Sequence, residues 1–297
     1  MTNFLKGLSA FPITPADAAG QVDTSALKRL LTPLVAARVD SIGLLGSTGS
    51  YPFLSRGERR RATDAALEQA NGQVSVLVGI GALRTDEAIA LARDAKAAGA
   101  AAGLLAPVSY TPLTDAEVFE HFSAVAAASD LPICIYDNFG TTHFRFSADL
   151  IGRIAHIPGV VSVKSAAPAA DLVAGHLAQL RAVVPPGFSV GFSGDWHATE
   201  ALIAGGDAWY GVAAGLFPNA CLAIVRAVQA GDVAKARRLD NAMQPLWALF
   251  KEFSSLRVMY AAAAIKGVEA VPPRPILPLP DVVQARIRTV LRELALG

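Results

Sequence analysis

The segment LKGLSAFPITPAD, residues 5–17, joins an apolar run to a turn that contains two prolines and no glycine. Residues 5–11 predict a strand, and the turn FPITPAD, residues 11–17, follows it. The first strand of a doubly wound dinucleotide-binding sheet usually leads into a glycine-rich turn, because glycine lets the backbone approach the pyrophosphate closely. The proline-rich turn therefore argues against that sheet.

Seven more apolar segments follow, starting at intervals of roughly 20 to 36 residues, as expected for repeated βαβ units. They are apolar on both faces and alternate with amphipathic helical stretches, which is typical of parallel strands covered by helices. Eight such strands favour an α/β fold of the (β/α)8 TIM-barrel type. The seven are SIGLLG (41–46), VSVLVGI (74–80), AAGLLAP (101–107), LPICIY (131–136), GVVSVK (159–164), GFSVGFS (187–193) and DAWYGV (207–212).

The chain continues well beyond the eighth strand and its helix. We predict a barrel that carries the active site over residues 1–230, and a C-terminal helical region over 231–297. The proline-rich linker VPPRPILPLP, residues 271–280, lies between two predicted helices of the second region.

Composition excludes several classes of function. The 297 residues are 53% hydrophobic, and the formal net charge is +1 without a basic block, so a nucleic-acid partner is not expected. No apolar run reaches membrane-spanning length, and the N-terminus lacks the pattern of a signal peptide. Cys134 and Cys221 are far apart and not in metal-ligand spacing, so we expect no disulfide, no metal site and a cytoplasmic location.

One lysine has an unusual position. Of the seven lysines, only Lys164 is predicted to end a barrel strand, at the edge where barrels of this type place their active sites. Strict alternation puts Val160, Ser162 and Lys164 on one face. Apolar surroundings lower the pKa of an amine and make it a nucleophile for carbonyl carbon. An equally weighted interpretation is a lysine that leaves the core and reaches solvent.

Two other strand ends carry polar groups. Ser47 and Thr48 lie in the loop GSTGS, residues 46–50, whose glycines and consecutive N–H groups could hold a carboxylate. Tyr136 ends the fifth predicted strand and could transfer protons. Each alone has an ordinary alternative, a small polar loop for the first and a buried, hydrogen-bonded tyrosine for the second.

Taken together, these residues resemble a known family. Seven segments fall in its order and spacing, and the resemblance covers nearly the whole chain. They are FPITPAD at residue 11, GSTGSYPFLSRGER at 46, APVSYTPLT at 106, IYDNFGT at 135, VVSVKSA at 160, FSGD at 192 and GVAAGLFP at 211. The chain is similar to the pyruvate-dependent class I aldolases typified by dihydrodipicolinate synthase and N-acetylneuraminate lyase.

The resemblance implies a Schiff-base lyase or aldolase, in which Lys164 forms an imine with the keto carbon of a 2-oxo acid, usually pyruvate. It implies no metal or organic cofactor, because the imine itself is the electron sink. The second substrate would be an aldehyde, and the chain would form a homotetramer built from tight dimers. The implied catalytic residues are Lys164, Tyr136, Thr48 and Tyr110, and the implied substrate-binding residues are Ser47, Thr48, Asn138, Thr141, Ser193, Gly211 and Val212, with Gly191 and Phe192 beside them.

Departures from the family pattern bear on specificity. Thr141 stands where the synthases carry an arginine that binds the carboxylate of the aldehyde. Tyr110 is displaced by about one place from the tyrosine that a neighbouring subunit lends to the proton relay, and Ser50 replaces a glutamate. These changes keep imine chemistry and put a role in lysine biosynthesis in doubt. The candidates for contact with the second substrate are Asn138, Thr141, His143 and Arg84.

Other functions remain open at this stage. Within the family, the chain could be a synthase, a sialic-acid-type lyase, a sugar-acid aldolase or a dehydratase. A phosphate-binding barrel is disfavoured, because the aspartate of FSGD would repel phosphate. A catalytically silent small-acid-binding regulatory protein would explain the departures, but the presence of Lys164 together with Tyr136 argues against it.

Overall fold

The structure, a computed structural model, describes residues 5–296. Eight parallel strands form a closed barrel in sequence order, with β8 paired to β1. The predicted TIM barrel is confirmed, and all eight strands lie inside or close to the expected segments. They are β1 (Gly7–Ala10), β2 (Ser41–Leu44), β3 (Ser75–Gly79), β4 (Ala102–Leu105), β5 (Ile133–Asp137), β6 (Val160–Ala166), β7 (Ser189–Ser193) and β8 (Ala208–Gly211).

Helices connect the strands and cover the barrel. Side-chain caps fix several helix starts: Asp23 accepts a hydrogen bond from the backbone of Ala26, and Thr114 forms a reciprocal capping box with Glu117. The barrel helices are α1 (Thr24–Ala37), α2 (Arg56–Ala70), α3 (Thr85–Ala98), α4 (Asp115–Ser129), α5 (Phe139–Thr142), α6 (Ala148–Ala155), α7 (Val173–Val183), α8 (Asp195–Ile203) and α9 (Pro218–Gln229).

Alternation along the strands divides the core into two layers. Side chains such as Leu8, Ile42 and Val190 pack outward against the helices. The intervening side chains fill the barrel and include Leu77, Leu104, Cys134, Tyr136 and Tyr210. This inner layer forms the floor below the mouth of the barrel.

The prediction that Val160, Ser162 and Lys164 share one face of β6 is wrong for Val160. Ile133 of β5 pairs with Val160, but Cys134 pairs with Ser162, so Val161 has no partner and forms a bulge. Val160 consequently packs in the outer layer and Val161 against the inner one. Ser162 and Lys164 still point into the barrel, because the alternation resumes after the bulge.

The C-terminal region consists of α10 (Val233–Ala242), α11 (Gln244–Phe253), α12 (Ser255–Ile265) and α13 (Asp281–Glu293). It packs on the barrel through aromatic rings: Trp247 of α11 lies 6.3 Å from Trp209 of β8 between ring centroids. The Tyr260 hydroxyl of α12 lies 3.1 Å from Ser50 Oγ. This helix therefore supports the loop that follows β2.

The cysteines and the helices were both subjects of predictions from composition. Cys134 and Cys221 are both buried free thiols. Within residues 5–296, the helices are too short or too polar for any of them to cross a bilayer.

Candidate active site

Lys164 and Tyr136 are direct neighbours at the C-terminal ends of adjacent strands. The Cα of Lys164 in β6 pairs with that of Tyr136 in β5 on one side and with that of Gly191 in β7 on the other. Both side chains point into the barrel. The structure thus brings these two predicted residues together at one barrel mouth.

The amine of Lys164 is enclosed by aromatic rings. The residue is 3% exposed, and Nζ lies 3.5 Å from the ring centroid of Phe11, 5.1 Å from that of Tyr136 and 5.7 Å from that of Tyr210. Burial lowers the pKa of Lys164 from its ordinary value to about 7. The alternative of a lysine that reaches solvent is therefore wrong, and a large fraction of the amine is neutral near pH 7.

Phe11 is a site residue that the sequence analysis missed. It follows β1, and two glycines of the second strand and its loop make room for its ring. A Cβ on Gly43 would lie 2.2 Å from the ring, and one on Gly46 would lie 2.7 Å from it. The alternation of β1, in which Leu8 and Ala10 point outward, is the signal that could have identified Phe11 as inward-facing.

The Tyr136 hydroxyl is the centre of a hydrogen-bond network. It donates to Ser47 Oγ at 3.1 Å, and it accepts from Thr141 Oγ1 at 3.1 Å and from Asn138 Nδ2 at 3.4 Å. Gly140 N donates to Asn138 Oδ1 and thereby orients that amide group. The phenol oxygen therefore has a route for releasing a proton and a separate route for receiving one.

The loop after β2 supplies this network through Ser47 rather than Thr48. Thr48 is 3% exposed, and within the described chain no hydrogen bond joins it to Tyr136. Ser50, in the left-handed conformation at φ 56°, points away toward Tyr260. Of the two hydroxyl residues predicted in this loop, only Ser47 contacts Tyr136 within the described chain.

The side of the mouth formed by β7 and β8 differs in part from the prediction. Ser193 is buried, and its Oγ donates to the Ser165 carbonyl at 3.3 Å. Gly191 leaves room for the Tyr210 ring, which a Cβ there would approach to 2.5 Å. Phe192 does not line the mouth, because alternation turns it into the outer layer, where its ring lies 6.1 Å from that of His176.

The aspartate of the FSGD segment organises the loop after β8. The buried Asp195 carboxylate accepts hydrogen bonds from Trp209 Nε1 at 2.9 Å, Val212 N at 3.1 Å and Ala213 N at 2.7 Å. Burial raises the pKa of this carboxyl group. It holds Gly211 and Val212 in place at the mouth, a function that the sequence analysis did not assign to it.

Three other predicted residues take no part in the hydrogen-bond network of the Tyr136 hydroxyl. Tyr110 is 98% exposed and does not enter the site of its own chain. Arg84 is exposed and pairs with Asp86 at 2.6 Å. His143 is exposed on one side, with its ring 6.3 Å from that of Phe139, but it also borders the mouth.

A cavity of about 100 Å³ lies next to the Tyr136 hydroxyl. Six of its nine lining residues carry a hydroxyl group, and His143 adds an imidazole. Among these described lining residues there is no aspartate, glutamate, lysine or arginine. Its lining therefore offers hydroxyl groups and one imidazole for hydrogen bonding amid mainly apolar surface. Nowhere in residues 5–296 do three or more histidine, cysteine, aspartate or glutamate side chains form a group suited to a metal ion.

Comparison with known proteins agrees with this geometry. Residues 4–294 match the sequence profile described as the Dihydrodipicolinate synthetase family. This chain belongs to that family. The resemblance drawn from the seven segments is confirmed, and with it the assignment of the chain as a Schiff-base-forming lyase of the synthase type.

Three relatives illustrate the match. The 4-hydroxy-tetrahydrodipicolinate synthase of Thiobacillus denitrificans is 33% identical over 285 residues, 94% of each chain. A crystal structure of dihydrodipicolinate synthase from Agrobacterium tumefaciens is 56% identical with a TM-score of 0.96, covering 98% of both chains. The chloride-inhibited dihydrodipicolinate synthase of Acinetobacter baumannii, complexed with pyruvate, is 27% identical with a TM-score of 0.90, covering 99% of this chain and all of the other.

Proposed function

We propose that this protein forms or cleaves a carbon–carbon bond through an imine between Lys164 and pyruvate or a related 2-oxo acid. The observation that carries the proposal is the buried Lys164 amine, with its pKa of about 7, beside the hydrogen-bonded Tyr136 hydroxyl. A neutral amine is required for attack on a carbonyl carbon, and an ordinary lysine is almost fully protonated at pH 7. The pyruvate complex of the Acinetobacter baumannii relative supports this choice of substrate.

In the direction of synthesis, the neutral Nζ adds to C2 of the oxo acid, and the carbinolamine loses its oxygen as water to give the imine. Loss of a proton from C3 then gives an enamine, whose C3 attacks the aldehyde carbon. Water hydrolyses the resulting imine and regenerates the amine. Tyr136 moves the protons of these steps in this proposal, which its hydrogen bonds to Ser47 and Thr141 support.

The carboxylate of the oxo acid would bind in the loop after β2. Backbone N–H groups in the Ser47–Thr48 turn and the Thr48 hydroxyl are the donors available there, and Thr48 is otherwise free of the Tyr136 network. Gly211 and Val212, held by Asp195, would border the opposite side. Ser193 would close the mouth between them.

Exchange of the methyl protons of pyruvate in D₂O tests this function without a second substrate. Enamine formation breaks a C3–H bond, and its reversal places a deuteron from solvent on C3. We expect the wild-type protein to catalyse exchange, measured by loss of the methyl signal in proton NMR, and Lys164→Arg to catalyse none. A silent small-acid-binding protein would bind pyruvate without exchange, and that result would contradict the proposal.

A second proposal concerns the aldehyde. The cavity beside Tyr136 has no cationic lysine or arginine among its described lining residues, and Thr141 occupies the position where the synthases carry an arginine. A bidentate arginine–carboxylate pair contributes about 1.5–3 kcal/mol, so its loss weakens use of a carboxylate-bearing aldehyde by about 10- to 150-fold. We infer a hydroxylated, uncharged aldehyde as the preferred partner, as in a sugar-acid aldolase.

The Thr141→Arg variant tests this inference, with Thr141→Val as the matched control that removes the hydroxyl without adding charge. We expect Thr141→Arg to raise kcat/KM for aspartate semialdehyde and to lower it for glyceraldehyde, whereas Thr141→Val lowers both. A wild-type kcat/KM of about 10⁴ M⁻¹s⁻¹ or more with aspartate semialdehyde would contradict the inference and favour the synthase reaction.

A further inference from the structure

A partly buried hydrogen-bonded cluster lies directly behind the two catalytic side chains, on the helix side of β5 and β6. Ser165 Oγ donates to Asp137 Oδ2 at 2.7 Å and lies 3.2 Å from Nε2 of His176, on α7. Ser165 is 1% exposed. We refer to these three residues as the Asp137–Ser165–His176 cluster.

The donors and acceptors of the cluster have one consistent arrangement when Asp137 is ionised. An ionised carboxylate only accepts, and a serine hydroxyl has a single hydrogen to give. Since Ser165 gives that hydrogen to Asp137, His176 Nε2 must carry a proton and donate to Ser165 Oγ. The hydrogen bonds therefore run from His176 through Ser165 to Asp137.

The cluster is adjacent to the catalytic pair in sequence and in space. Asp137 follows Tyr136 in β5, Ser165 follows Lys164 in β6, and the two cluster residues are register partners just as the two catalytic residues are. Successive side chains of a strand point to opposite faces, so the cluster side chains face α7 and the catalytic side chains face the mouth. Asp137 and Ser165 thus join the ends of both strands at the level of the catalytic groups.

We infer that the Asp137–Ser165–His176 cluster is a positioning device, which fixes the Tyr136 hydroxyl relative to the Lys164 amine for proton transfer at the imine stage. The inference rests on the proposed imine function. Misplacement of a reacting group by 1 Å costs up to about 10²-fold in rate. A bond between the two strand ends, within one residue of both catalytic groups, is well placed to prevent that displacement.

The test measures kcat and KM for deuterium exchange of the pyruvate methyl group in Ser165→Ala and in the double variant Ser165→Ala/Tyr136→Phe. We expect Ser165→Ala to lower kcat by about 10- to 100-fold and to change KM less than threefold. With Tyr136 already removed, the same substitution should lower kcat less than about twofold further. A general structural defect would instead lower kcat by the same factor in both backgrounds, because independent effects add in free energy.

Two further comparisons keep the test decisive if Ser165→Ala folds poorly. The His176→Gln variant keeps an N–H donor within reach of Ser165, so it should keep most of the kcat that His176→Leu loses. Ser189→Ala is the matched control: this buried serine on β7 donates to the Leu5 carbonyl at 2.7 Å, far from the mouth. We expect it to lower the melting temperature and leave kcat unchanged.

The outcomes separate this inference from the proposed function. Suppose that the wild-type protein catalyses exchange. An unaltered kcat in Ser165→Ala, or an equal loss of kcat in both Tyr136 backgrounds, would then overturn the positioning role alone. Equal kcat in His176→Gln and His176→Leu would do the same. A wild-type protein that catalyses no exchange would overturn both.

Discussion

The Lys164 amine lies over the face of the Phe11 ring, 3.5 Å from its centroid, although β1 and β6 are not neighbours in the barrel. The ring replaces water around the amine, and the loss of hydration disfavours the charged form. A ring face also attracts a cation, which limits how far the pKa falls. Burial is the larger effect, since the pKa of Lys164 is lowered to about 7.

The first prediction is the pH dependence of imine formation. The neutral fraction of an amine with a pKa of about 7 increases as the pH rises through 7 and then levels off. We therefore expect kcat/KM for pyruvate methyl exchange, which reports on the free enzyme, to rise about tenfold per pH unit below the pKa and to plateau above about pH 8. In Tyr136→Phe we expect kcat/KM to rise with pH in the same way but to be lower at every pH. An increase that continues to about pH 10, the range of an ordinary lysine, would contradict the assignment.

The second prediction concerns the packing of Phe11. Gly43→Ala places a Cβ 2.2 Å from the ring, so the ring must move from its position beside the amine. We expect this variant to lose about 1–3 kcal/mol of stability and most of its exchange activity. Gly57→Ala is the matched control, because its Cβ meets only Ser55 Oγ at 3.9 Å on the surface of α2, where alanine favours the helix. Melting curves and exchange rates check both, and equal activity in the two variants would be evidence against a role for the Phe11 ring beside Lys164.

The third prediction concerns Tyr136. The substitution Tyr136→Phe keeps the ring beside Lys164 and removes the hydroxyl that contacts Ser47, Thr141 and Asn138. We expect kcat for methyl exchange to fall by about 10²- to 10⁴-fold, the usual contribution of one positioned acid–base group. Thr32→Val is a suitable control, since this exposed hydroxyl donates to the Lys28 carbonyl on α1, away from the mouth. Wild-type kinetics in Tyr136→Phe would remove this residue from the mechanism.

The fourth prediction concerns assembly. Tyr110 is 98% exposed in a proline-flanked loop, and we propose that it enters the site of a neighbouring copy in a homotetramer. Co-expression of Tyr110→Phe chains with Lys164→Arg chains should give activity above the sum of the two separate variants, because a hybrid pair contains one site with both residues intact. Light scattering should give the mass of a tetramer. A fully active monomer, or strictly additive activity, would refute the proposal.

The barrel and the positions of Lys164 and Tyr136 at strand ends could be predicted because they depend on local patterns. Strands that are apolar on both faces indicate a covered parallel sheet, and Lys164 and Tyr136 each end such a strand. The bulge at Val161 was not predictable from alternation, since an extra residue leaves the apolar pattern almost unchanged. The bulge turns Val160 to the outer face of the strand but leaves Lys164 pointing into the barrel.

Residues that meet across the barrel were the ones missed. Phe11 reaches Lys164 only because the sheet closes, and Asp195 acts on backbone groups of the loop after β8 that follow it by 17 and 18 residues. Ser47 and Thr48 are neighbours of similar chemistry, and only the backbone conformation of their loop decides which one bonds to Tyr136. The hydrogen bond between Asp137 and Ser165 likewise becomes visible only once the register of β5 and β6 is known.

Reductive trapping tests the central claim most directly. The protein is treated with sodium borohydride in the presence and absence of pyruvate, digested, and its peptides are sequenced by mass spectrometry. An imine at Lys164 predicts that the peptide containing this residue gains the mass of pyruvic acid less one oxygen atom, only when pyruvate is present, and that Lys164→Arg gains nothing. An unmodified Lys164 in the wild-type protein, or the same added mass on a different lysine, would contradict the account.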